Sequence, residues 1–189
     1  MKYTAAAALL LFLTRLTQAI IIPHDHPEGL FIGNHHEDGT FNSTPVHLPN
    51  SRSNAGPSSV KNSARNADGN LHKRAVTNSC LEPTLTQSDA LAVEKSFGDA
   101  CDQAGTVNWI SPRSVAYAIT GGTIAYMCNF DSGAGSWCTS GGLYYDINNN
   151  GCPMFSSSET FHPDPHKAWA YGIAYKGITD FCQDLPFMT

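Results

Sequence analysis

The sequence predicts an α+β fold, a small disulfide-stapled α/β sandwich in which one antiparallel sheet is covered by two helices. Three observations point to it. Six cysteines, Cys80, Cys101, Cys128, Cys138, Cys152 and Cys182, all lie in the C-terminal part of the 189-residue chain. A helical-period run follows the first of them, and runs alternating with period two follow that helix. A helix, a hairpin, a weaker helix and a last strand in this order suit one sheet packed against helices.

The first helix is expected over residues 86–100. Thr86-Gln87-Ser88-Asp89 has the form of a capping box, and Leu85 can staple onto Ala90. Ala90, Val93, Phe97 and Cys101 then share one face. Beyond Gly105, Val107 and Trp109 point one way, and Val115, Tyr117 and Ile119 repeat the period of two. Gly121-Gly122 suits a two-residue hairpin turn, and Ile124, Tyr126, Cys128 and Phe130 alternate after it. Residues 115–130 therefore form a hairpin. Residues 131–136 are a glycine-rich loop. A second helix over 143–149 is opposed by Gly141, Gly142 and three asparagines. Pro153, Pro163 and Pro165 give residues 152–166 the look of a long irregular connection. Trp169, Tyr171, Ile173 and Tyr175, alternating with small residues, form a strand with an aromatic face.

Composition divides the chain into three stretches. Residues 1–19 read as a secretory signal: Lys2 is the charged n-region, residues 5–13 the apolar run, and Thr17-Gln18-Ala19 the small-x-small cleavage site. Arg15 stops the run well short of the ~20 apolar residues needed to span a bilayer, so no membrane anchor is expected. Residues 20–74 are rich in Pro, Ser, Asn, Gly and His, and read as a disordered pro-segment ending in the dibasic processing site Lys73-Arg74. The mature cysteine-rich domain is then residues 75–189, secreted and extracellular, beginning at Ala75. An even number of cysteines in an exported domain reads as three disulfides. Thiolate zinc is disfavoured by the absence of any CxxC pair.

From Ala75 on there are four lysines and arginines against eleven aspartates and glutamates, about seven net negative charges. Such a domain, with no basic cluster, repels phosphate backbones and anionic lipid surfaces, so no nucleic-acid partner is expected. The remaining partner classes are an extracellular protein or a polysaccharide.

Ala125-Tyr126-Met127-Cys128-Asn129-Phe130, followed by Trp169, Tyr171-Gly172, Gly177 and Phe181-Cys182, resembles the small secreted cysteine-rich effectors of fungi, a loose family that includes necrosis-inducing factors and relatives of virally encoded killer toxins. The resemblance extends from about Cys80 to Cys182, and the layout of signal, low-complexity segment and Lys-Arg site is similar too. It implies an effector or toxin-like protein acting outside the producing cell, with an α/β sandwich fold. It brings no catalytic residues and no cofactor.

Chemistry in the mature domain rests on its two histidines, in Phe161-His162-Pro163-Asp164-Pro165-His166-Lys167. Extended backbone puts His162, Asp164 and His166 on one face, where they are candidate metal ligands. With Lys167, the two imidazoles are also candidates for ribonuclease-like acid and base work. The competing description is a proline-stiffened polar loop facing water. In the pro-segment, His24, His26, His35 and His36 with Asp25, Glu37 and Asp38 form a richer metal-binding cluster that processing would remove. Asn42-Ser43-Thr44 is a glycosylation sequon at Asn42, followed at once by Pro45. Trp109, Trp137 and Trp169, with the chain's seven tyrosines, are candidates for a sugar-stacking platform, against the plainer role of core packing.

Six cysteines allow fifteen connectivities, and the expected topology favours one bridge among them. A strand carrying Cys80 up and a helix descending to Cys101 place these two at opposite poles. The hairpin returns Cys128 to the lower pole, and a second helix climbing from Cys138 leaves Cys152 near Cys80. Because bridged Cα atoms must come within about 7 Å, Cys80 should pair with Cys152. The pairing of Cys101, Cys128, Cys138 and Cys182 stays open.

Overall fold

A computed structural model describes residues 22–23, 25–35, 40–47, 76–131, 133–163, 168–177 and 182. It has nine strands and two helices among these residues: β1 (Gly29–His35), β2 (Phe41–Pro45), β3 (Thr77–Thr84), α1 (Gln87–Asp102), β4 (Trp109–Ile110), β5 (Ser114–Thr120), β6 (Thr123–Asn129), β7 (Ser136–Trp137), α2 (Ser140–Asn149), β8 (Ser156–His162) and β9 (Trp169–Tyr175). Seven strands form one sheet in the order β2-β1-β5-β6-β9-β8-β3, with every neighbouring pair antiparallel. β4 and β7 form a separate two-stranded ribbon. The fold is thus a small α+β fold, mainly antiparallel sheet with two helices and three disulfides.

The centre of the sheet is the hairpin read from alternation. Thr120 faces Thr123 across Gly121-Gly122, and only Gly121 uses a positive φ, 56°. Alternation sorts its side chains into two clusters. Ala116, Ala118, Ala125, Met127, Tyr171 and Ile173 pack with Val93, Phe97 and Ala100 of α1 and Leu143 of α2. Val115, Tyr117, Ile119, Ile124, Tyr126 and Cys128 pack together on the opposite face. β9 pairs with β6 from Thr123↔Tyr175 to Asn129↔Trp169 and has the expected aromatic side.

α1 begins one residue after Thr86, but the capping box does not form. Thr86 is the N-cap and makes no side-chain cap bond. Asp89 turns instead to the hairpin, where its Oδ2 accepts from Gly122 N at 3.3 Å. The turn's exposed amides compete for the carboxylate that the box would use. α2 starts earlier than expected, at Ser140, because Thr139 Oγ1 accepts from Gly142 N at 3.1 Å and caps the glycine-rich first turn. The strand expected from Val107 is shorter: Val107 is buried in the core and only Trp109–Ile110 are extended.

Two expectations are corrected. Residues 152–166 are not wholly irregular, because β8 runs between β3 and β9. Its Ser157, Ser158 and Thr160 are buried, so it carries no apolar alternation. Hydrogen bonds satisfy these hydroxyls: Asn150 Nδ2 donates to Ser158 Oγ at 2.8 Å, Tyr175 N donates to Ser157 Oγ at 3.1 Å, and Thr160 Oγ1 donates to the Asp146 carbonyl at 3.3 Å. Disorder over the whole of residues 20–74 is corrected too, because β1 and β2 belong to the main sheet. Leu30 and Phe31 are buried on opposite faces, one in each cluster. That short apolar run has a partner in β5, which composition alone does not reveal.

Cys80 pairs with Cys152, Cys101 with Cys138 and Cys128 with Cys182, at Cα separations of 5.4, 4.9 and 5.9 Å. The first is the pairing that the pole argument selects. Residues 1–19, Lys73, Arg74 and Ala75 lie outside the described residues. No helix among the described residues is long and apolar enough to cross a membrane.

Candidate functional site

The chain's three tryptophans come together at one cleft. Trp109 of β4 and Trp137 of β7 are register partners, with ring centroids 4.8 Å apart and planes at 67°. They are unusually open to solvent for tryptophan, at 46% and 64%. Trp169 opens β9 opposite His162 at the end of β8, and their rings stack with centroids 4.9 Å apart and planes at 10°. Tyr145 of α2 adds a third open ring, 67% exposed. The cleft encloses about 630 Å³, within the usual range for small-molecule sites.

Each wall is fixed by local chemistry. The Asn129 amide donates to the carbonyls of Ile110, Ser111 and Ala134, tying the end of β6 to β4 and to the glycine-rich loop. Asp131 Oδ1 accepts from Gly133 N and Ala134 N at 2.7 and 2.9 Å, which closes that loop. At Gly135 a Cβ would lie 2.2 Å from Trp109 Cζ2, so only glycine lets the indole rest there. The Cys101–Cys138 bridge and Cys138 N donating to the Asn108 carbonyl at 3.1 Å hold β7 against α1 and β4.

The floor is polar. Asp146 is 5% exposed, and its Oδ2 lies 2.7 Å from His162 Nε2, so the carboxylate accepts the imidazole N–H and orients the ring. Tyr171 Oη accepts from Thr139 N at 3.1 Å and donates to the Trp137 carbonyl at 3.4 Å. Burial holds the Tyr171 phenol above its ordinary value, against the opposing effect of the Thr139 donors. The arrangement offers two inclined aromatic faces beside a fixed carboxylate–imidazole pair.

The structure brings together only part of what the sequence put forward. His162 is in the cleft, but Asp164, His166 and Lys167 lie outside the described residues. Asp146, which no sequence motif singles out, is the partner His162 has. Its signal would have been an acidic residue one helical turn beyond Gly142 on the face of α2 that meets β8. Among the described residues, no three His, Cys, Asp or Glu side chains converge as a metal site. Of the pro-segment histidines, His26 packs edge-on against Phe31 at 4.4 Å, while His24 and His36 lie outside the described residues. Asn42 is exposed on β2.

No protein-family model, no curated protein and no solved structure matches the chain.

Proposed function

We propose that this chain is the precursor of a secreted, extracellular effector or toxin-like binding protein, and that its target is a glycan held in the tryptophan cleft. The convergence of all three tryptophans, two of them widely exposed, carries the reading. Indole faces pack against the C–H faces of pyranose rings, and the Asp146–His162 pair is placed to meet ring hydroxyls. The acidic balance favours an uncharged saccharide over an anionic one. Export, removal of residues 1–19, processing at Lys73-Arg74 and the fungal effector resemblance belong to the same proposal, as does the description of the fold as a sandwich with the sheet covered by two helices. Support comes from the three disulfides, which form in oxidising compartments, and from helix side chains sharing a cluster with one sheet face.

The Asp146–His162 contact favours a second reading, a hydrolase in which His162 works with His166 as acid and base. Titrating the purified protein with neutral oligosaccharides while following tryptophan emission separates the two. The binding reading expects saturable quenching, weakened about tenfold or more by Trp137→Ala, a loss of at least ~1.4 kcal/mol. Unchanged emission with every saccharide at millimolar concentration would sink it. The hydrolase reading requires product from a glycan or RNA and its loss in His162→Ala with the fold intact.

A further inference from the structure

The sheet needs residues that processing at Lys73-Arg74 would separate from the rest of the chain. β1 pairs with β5 over six residues, from Gly29↔Ile119 to Asn34↔Ser114, and β2 pairs with β1 on its outer side. Leu30 enters the helix-side cluster, and Ile22 and Phe31 enter the opposite one. Phe31 stacks on Tyr117 with centroids 5.2 Å apart and planes at 19°, and the His26 ring meets both. Polar contacts reach the segment from three places. Ser114 Oγ donates to Asn34 Oδ1 at 2.7 Å, Gly121 N donates to Glu28 Oε1 at 3.0 Å, and the buried Lys176 ammonium donates to the His26 carbonyl. None of the three disulfides involves this segment.

Removing residues 22–47 would uncover the backbone edge of β5, the Tyr117 ring and the Lys176 ammonium together. The open strand edge is a liability for assembly, the bared ring is apolar surface given to water, and Lys176 loses the carbonyl it donates to. A segment whose only task was to be discarded would not be built into both clusters.

We propose that residues 22–47 remain bound after processing, so that the finished protein consists of two chains held without a covalent link, the short one occupying the β5 edge. The proposal rests on cleavage at Lys73-Arg74. The β5 edge is then a built interaction surface whose occupant is an extended hairpin supplying alternating apolar side chains to both faces.

The test uses the full chain with Lys73-Arg74 replaced by the recognition site of a sequence-specific protease, cut after folding and oxidation. The two fragments should elute together, with a native mass equal to their sum, and separate only in denaturant. Amide protection along residues 114–119 should stay within about tenfold of the uncut chain. A C-terminal fragment that elutes alone from this cut chain overturns the proposal, whatever its fold. Phe31→Asp should release the fragments from each other. Should that variant not fold, co-elution of the cut chain with Phe31 in place still decides the matter. N-terminal sequencing of the native secreted protein reads the cleavage separately: two N-termini in equal amounts support the two-chain form, and a single uncut chain overturns it.

Discussion

Gly172 and Gly135 are each required by the ring that lies on them. A Cβ at Gly172 would come within 2.2 Å of the Tyr126 ring, which crosses β9 there on its way to Glu159, and Gly135 is bound in the same way to Trp109. Neither glycine has a positive φ, so crowding and not backbone conformation selects them, and a sequence shows only that a glycine is present. Glu94 is a charged residue on the buried side of α1, where Asn148 Nδ2 donates to its Oε1 at 3.3 Å. Burial raises its carboxyl above the ordinary value, and the Asn148 bond only partly offsets this. The folded state therefore holds the proton more tightly than the unfolded chain. That contribution to stability is complete below about pH 4.5 and is lost as pH rises through the raised folded value. Glu94→Gln keeps an acceptor for Asn148 and removes the charge. It should stabilise the protein at pH 7 by about 0.5 kcal/mol, since Glu94 remains partly screened, and the advantage should fade toward pH 4 in urea melts at the two pH values.

The secondary elements were legible where one signal dominated. β5, β6 and β9 alternate apolar and small residues, and α1 has its apolar stripe. β8 was not legible, because Ser156-Ser157-Ser158-Glu159-Thr160 is polar and is buried through hydrogen bonds that only the neighbouring strands and α2 supply. α2 was legible beyond Leu143 but not at its start. Thr139 reaches over Gly141 to Gly142, whose missing Cβ would lie 3.0 Å from Thr139 Oγ1 and 3.2 Å from the Tyr171 ring. Glycine is therefore both poor for helix propensity and needed for this approach of α2 to β9. Thr139→Ala removes the cap while leaving the Thr139 N–H bond to Tyr171. It should cost about 1 kcal/mol, measured as a lower urea midpoint with an unchanged slope. Within the cleft, the sequence named the three tryptophans as one platform and His162 apart from them, but not the cleft that joins them with Asp146. That depends on the two-residue ribbon of β4 and β7, too short to show a period.

At the scale of the molecule, the Cys80–Cys152 bridge was legible because it depends only on the direction of successive elements. The N-terminal strands escaped the same reasoning because their partner lies some 85 residues further along. That separation bears on the order of assembly. A chain synthesised from its N-terminus presents residues 29–45 long before β5 exists, so the earliest strands to appear must wait for the central hairpin and join the sheet late. Closing so long a loop without a cross-link makes β1 and β2 the elements most easily lost again. In native-state hydrogen exchange the amides of residues 29–34 and 41–45 should open ahead of those of residues 123–129, with 114–119 in between; equal protection across all of them would show a sheet that closes as one unit. What is synthesised first would be what lets go first.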